Sequence, residues 1–163
     1  MKLSIETYGQ GPAVLLLHGM GSAATAWKPI IPSLAKQFKV ITLDLPGHGR
    51  SAYSPMQSMD PTSLAKLVFK NLSAIGVSDF HLVGNSLGGW ISLEMAVLNP
   101  SQVKTVTALA PAGLWLTPFT SRYPGEIALR IMAGGVEKIA PSVLNYTWAK
   151  KLGFETVSPR WKD

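Results

Sequence analysis

Ser86 stands in Gly84-Asn85-Ser86-Leu87-Gly88, a G-x-S-x-G spacing that sets a hydroxyl two residues from a glycine on either side. The chain has no cysteine, so a side-chain nucleophile in it must be oxygen or nitrogen, and a disulfide framework or a Cys-ligated zinc site is excluded. With 15 glycines and as many serines, chance supplies about 0.1 such matches in a chain of this composition, so the spacing alone is only suggestive. The flanks strengthen it. An apolar run from Phe80 to Val83 leads into Gly84, and an apolar helical pattern leaves from Leu87. A serine at that junction sits in a sharp, exposed turn, where Gly84 and Gly88 have no Cβ to collide. The helix N-terminus behind it offers a positive dipole end to a developing oxyanion. The chemistry these residues point to is hydroxyl attack on a carbonyl.

A serine hydroxyl is a poor nucleophile near neutral pH without a base. The three histidines, His18, His48 and His81, all precede Ser86. His18 and His48 lie between glycine-rich turns on the N-terminal side of Ser86, and His81, on the strand entering the serine turn, reads as a core or sheet residue. Asp44 reads as a loop hydrogen-bond acceptor and Glu94, on the helix after Ser86, as a surface or supporting carboxylate. Met20, Trp90 and Trp115 are candidates for lining an acyl pocket, with core packing an equal reading for the two tryptophans.

The elements that must position these groups follow from apolar periodicity. Residues 2–8 alternate as a strand and end in the turn cluster Gly9-Gln10-Gly11-Pro12. Ala13 to Leu17 is a short, continuously apolar run, as expected of a strand covered on both faces. Residues 23–37 place Trp27, Ile30, Ile31 and Leu34 at helical spacing, and Lys39 to Leu43 is a further strand. Asp60 and Pro61 open a helix that Gly76 closes. Strands over 80–83 and 103–110 bracket a helix over 87–98. Strand then helix, repeated, predicts a doubly wound, mainly parallel sheet with helices on both faces. After Pro111 the pattern changes to aromatic and proline-rich sequence with helical stretches near 125–139 and 143–151, and no buried strand is visible.

Composition narrows the classes. A chain of 163 residues with 47% hydrophobic and 15% charged residues is one domain's worth and can fill a core. The net charge of +6 is spread evenly, with +3 in residues 1–119 and +3 in residues 120–163. No more than two basic residues are adjacent (Lys150-Lys151), so a nucleic-acid partner is not expected. No apolar run approaches a membrane span, and Glu6 comes too early for a signal peptide. No membrane partner and a cytoplasmic setting are the expectations.

Three segments in this order and with these separations, Leu-Leu-Leu-His-Gly-Met-Gly (15–21), Asp-Leu-Pro-Gly-His-Gly-Arg-Ser (44–51) and Leu-Val-Gly-Asn-Ser-Leu-Gly-Gly (82–89), resemble the α/β-hydrolase superfamily. The resemblance covers residues 2 to about 113. It implies that residues 1–113 form the N-terminal part of the hydrolase core and that 114–163 begin a helical cap. It also implies that Ser86 is the nucleophile, that the backbone N–H groups of Met20 and Leu87 form the oxyanion hole, and that His18 and His48 shape their loops rather than serve as the base. No cofactor and no metal are implied. Serine rather than aspartate at 86 argues against the branches that attack with a carboxylate.

One feature departs from the family pattern. There the acid and then the histidine follow the nucleophile, whereas no histidine follows Ser86 here. The expectation is therefore a fold truncated before its last strands and a chain that turns over little by itself. The leading reading is a serine hydrolase acting on a small-molecule acyl ester. A cofactor-free perhydrolase, lyase or acyltransferase using the same serine remains open, as does a non-catalytic ligand- or partner-binding protein. The strand at 103–110 is expected to present an open edge through which the chain self-associates.

Overall fold

The computed structural model describes residues 1–114. The expected helical stretches near 125–139 and 143–151, Trp115, and the cap segment 114–163 apart from Leu114 lie outside the described residues.

Continuous apolar runs need cover on both faces, and the sheet provides it. Strands β1 (Ile5–Tyr8), β2 (Ala13–Leu17), β3 (Lys39–Leu43), β4 (Phe80–Asn85) and β5 (Val103–Leu109) form one sheet in the order β1-β3-β2-β4-β5. Among the described residues only the β1–β3 pairing is antiparallel. Along β2, Leu15 and Leu17 point to a core shared with the helices α2 (Pro61–Ala74) and α3 (Leu87–Leu98), where Leu64, Val68, Ile91 and Met95 are buried. Val14 and Leu16 face the opposite side and pack with Val40, Trp27 and Ile31. This two-sided burial is why the run reads as unbroken apolar sequence rather than alternating.

The predicted helix over 23–37 is the one element that differs. It is a 3-10 turn, Ala24–Trp27, followed by a one-turn helix, α1 (Ile31–Leu34). Pro29 and Pro32 are the physical reason. Each lacks an N–H and biases the residue before it away from helical conformation, so Pro32 is tolerated only in the first turn of α1. Trp27 and Ile31 nevertheless reach the face that their spacing predicted.

Helix α2 starts and stops where expected. The Asp60 carboxylate accepts the Ser63 N–H at 2.8 Å, Pro61 occupies the first turn, and Gly76 follows with φ +71°. Its carboxyl is drawn down to a pKa of about 2, chiefly by the Ser58 hydroxyl that it accepts. No helix among the described residues is long and apolar enough to cross a membrane.

From β2 the chain moves to β3 on one side, then crosses back to β4 on the other. In an open parallel sheet this reversal leaves a crevice at the carboxyl ends of the two strands flanking it. The loop after β2 carries His18 to Gly21 and the turn after β4 carries Ser86, so the topology brings two of the three sequence motifs to one place.

Candidate active site

Ser86 joins β4 to α3 with φ 51° and ψ −113°, a conformation rarely adopted outside glycine. Such strain costs about 1–3 kcal/mol and persists only where the surroundings hold it. Here the Ser86 N–H donates to the Leu109 carbonyl at 2.9 Å, and the Ser86 carbonyl accepts from Trp90 N–H at 3.1 Å and Ala112 N–H at 3.0 Å. Serine at a helix N-cap ordinarily spends its hydroxyl on the first turn. This one makes no capping bond, so the hydroxyl is available at the crevice.

The flanking glycines are required by close approach. A Cβ at Gly84 would strike the Gly88 carbonyl and lie 2.5 Å from the Ser92 hydroxyl. At Gly88 it would strike the end of β2. Gly19 brings the other motif in: its Cβ position is 3.2 Å from the Ser86 Cβ and 3.3 Å from the Asn85 carbonyl oxygen. The turn from Gly19 to Gly21 thus lies directly against the serine. Among the described residues, neither the Met20 nor the Leu87 N–H has an acceptor. A recess of about 260 Å³ opens beside this turn, lined by His18, Gly19, Ser22, Ala26, Trp27, Asn85 and Leu109. A larger cavity of about 750 Å³ lies instead on the β1 edge, between the N-terminal residues and the end of α2. It contains none of the three motifs.

Both ring nitrogens of His18 and of His48 are engaged. The His18 ring is buried, its Nε2 accepts the Leu45 N–H at 3.0 Å, and its Nδ1 is 2.7 Å from the Gly19 carbonyl. An Nε2 that accepts leaves the ring proton on Nδ1, which therefore donates. His48 repeats the arrangement: Nε2 accepts the Gly21 N–H at 3.2 Å and Nδ1 donates to the Pro46 carbonyl at 2.9 Å. Burial pushes the His18 imidazole below its ordinary pKa, which keeps it in this neutral form. His81, on β4, pairs with the Thr105 hydroxyl at 2.8 Å. Neither His18 nor His48 has a lone pair left to take a proton from Ser86.

Asp44 is the loop acceptor its position suggested. Its carboxylate takes the Ala24 N–H at 2.8 Å and the Arg50 N–H at 2.9 Å, fastening the segments that follow β2 and β3. Glu94 accepts the Thr62 hydroxyl at 3.0 Å and the Trp90 indole N–H at 3.4 Å, so it ties α2 to α3. Met20 is exposed and Trp90 half-buried. The pairing of His18 and His48 with each other's loops was not legible in the sequence. The only signal was that both lie one residue from a glycine.

A parallel sheet with a strained serine between strand and helix defines a class, and the comparisons agree with it. The family model for the alpha/beta hydrolase fold matches residues 12–157. The chain belongs to that family. It is 34% identical over 140 residues to a pimeloyl-[acyl-carrier protein] methyl ester esterase of Aeromonas hydrophila, covering 86% of this chain and 52% of the relative. It is 40% identical over 132 residues to the enzyme of the same name from Methylococcus capsulatus, covering 81% and 49%. A crystal structure of a bacterial membrane phospholipase A superimposes with a TM-score of 0.68 at 34% identity, over 69% of this chain and 37% of that one. The chain therefore spans about half the length of the curated relatives it matches.

Proposed function

We propose that this chain carries the nucleophile of a serine hydrolase that cleaves a small-molecule ester through an acyl-enzyme. In this reading the Ser86 Oγ attacks the ester carbonyl and the N–H groups of Met20 and Leu87 hold the tetrahedral oxyanion. Collapse expels the alcohol, which takes up the proton that Ser86 lost, and water then releases the acid. The observation that carries the reading is Ser86 itself, held at φ 51° at the head of α3, with no partner among the described residues for its hydroxyl or for the N–H groups of Met20 and Leu87. That the two curated relatives are named methyl ester esterases supports an ester as the substrate class.

The proton must go to a base, and the histidines of this sequence do not supply one: His18 and His48 are saturated by backbone groups and His81 lies near the start of β4, at the end away from Ser86. A histidine and carboxylate following Ser86 in a longer chain would complete the site. The 163 residues alone therefore give little turnover, since an oxyanion hole and binding without a base retain on the order of 10³ to 10⁴ over water.

A fluorophosphonate probe tests the reading directly. It should label one residue, and labelling that survives Ser86→Ala refutes the assignment. Robust esterase activity of this chain that disappears in a folded His18→Ala or His48→Ala variant would show that one of those rings is the base.

A further inference from the structure

Two loops face each other at the carboxyl ends of β2 and β3, and each sends a histidine into the other's backbone. His18, from the first loop, accepts the Leu45 N–H of the second; His48, from the second, accepts the Gly21 N–H of the first. The ring centroids are 5.1 Å apart. The two bonds are not equivalent. That of His18 is buried and lies at the base of its loop, whereas that of His48 is at the surface and ends on the residue after Met20.

We propose that His48 is a positioning residue for the oxyanion hole: its Nε2 lone pair, by accepting the Gly21 N–H, holds the Gly19-Met20-Gly21 turn where the Met20 N–H addresses an oxygen on the carbon attacked by Ser86. The inference rests on the serine-hydrolase reading and adds a residue that touches neither substrate nor reacting atoms. The geometry requires it for a simple reason. Gly21 has φ +70° and nothing within 4 Å of its Cβ position, so packing against Ser86 holds the Gly19 end of this turn but not its Gly21 end. The Ser22 N–H bond to the Gly19 carbonyl at 3.2 Å closes the turn on itself, and the His18 Nδ1–H bond to the same carbonyl fastens only its Gly19 end. The His48 bond supplies the attachment of the Gly21 end. An amide aimed wrongly by about 1 Å is worth roughly a hundredfold in rate.

The side chain's role is that of an acceptor at a given place, so two variants separate acceptor from ring. His48→Phe keeps a flat ring and removes the lone pair. His48→Gln places a carbonyl oxygen at similar reach. Two readouts on the full chain follow: the second-order rate of Ser86 labelling by a fluorophosphonate, and hydrogen exchange of the Gly21 amide. His48→Phe should slow labelling about tenfold to a hundredfold and speed Gly21 exchange, with the melting transition still cooperative. His48→Gln should recover most of both. Nitrogen chemical shifts of the His48 ring should report a protonated Nδ1 and a bare Nε2 near neutral pH. If wild-type labelling is robust but indifferent to residue 48, the hydrolase reading stands and this proposal alone falls. It also falls if His48→Gln labels as slowly as His48→Phe, or if the ring nitrogens show the opposite tautomer. If wild-type labelling is too slow to measure for want of a base, Gly21 exchange decides: exchange that is unchanged in His48→Phe overturns the proposal. Labelling that survives Ser86→Ala fells the hydrolase reading and the proposal with it.

Discussion

Gly88→Ala tests whether the serine turn is held by backbone contact, as the geometry requires. A methyl group at Gly88 would lie 2.6 Å from the Leu17 carbonyl carbon and 2.7 Å from the His18 carbonyl oxygen, and closer still to the Leu17 oxygen. Carbon contacts relax at about 3.5–4.0 Å, so the first turn of α3 must retreat from the end of β2 by roughly 1 Å. Overpacking relieved by side chains costs about 1–3 kcal/mol. Here the neighbours are main-chain atoms of a central strand, which puts the cost at or above the top of that range. Alanine's better helix propensity offsets about 1 kcal/mol. A net loss of about 2 kcal/mol or more is a large share of a typical stability of about 5–15 kcal/mol, and lowers Tm by roughly 4–8 °C. Labelling of Ser86 should fall about a hundredfold, because the Leu87 N–H moves with the helix. Gly76→Ala is the comparison: it has φ +71° but nothing within 4 Å, so it should lose only about 1–2 kcal/mol of backbone strain and leave labelling unchanged. Thermal unfolding and labelling of the two variants decide the matter. A Gly88→Ala protein that melts with wild type and labels at the wild-type rate would refute the packing argument.

Asp44→Asn should lower stability by about 2 kcal/mol in urea unfolding, because the carboxylate accepts two backbone N–H groups and an amide replaces one acceptor with a donor; an unchanged midpoint would refute that role. The buried His18 imidazole has its pKa pushed below the ordinary 6.5, mainly by desolvation. As pH falls through that ordinary value the unfolded chain binds a proton that the native ring does not. Stability is therefore present above about pH 6.5 and is lost progressively below it, and His18→Gln should flatten this slope in urea midpoints taken from pH 7.5 to 5. Among the described residues β5 has a neighbour only on its β4 side, and its one charge, Lys104, lies 3.4 Å from Asp79. We expect the isolated chain to self-associate through this edge, with Thr107→Lys reducing association in sedimentation. A stable monomer at every concentration would refute it.

The parts of the fold legible in the sequence were those governed by local rules. The runs at 13–17 and 39–43 are unbroken because both faces are covered, and Asp60, Pro61 and Gly76 bound α2 by cap chemistry that needs no partner. Residues 23–37 misled because apolar spacing and proline placement conflict there. Spacing correctly gave the face that Trp27 and Ile31 cover, and Pro29 and Pro32 decided the conformation that brings them to it. The nucleophile turn was legible for a different reason: its glycines are demanded by collisions with backbone four residues away in sequence and on the adjacent strand, so composition there records tertiary geometry. No such record exists for the histidines. Each histidine is 27 residues from the amide it accepts, and nothing local says that each ring will accept an amide from the other's loop, because a hydrogen bond between loops depends on the strand order β3-β2-β4 that sets the loops side by side. The same dependence explains why the serine turn and the Gly19-Met20-Gly21 turn meet at all. Motifs 65 residues apart become neighbours only when β2 and β4 pair in parallel with Leu17 opposite Gly84, so that the residues following each strand leave the sheet at one level.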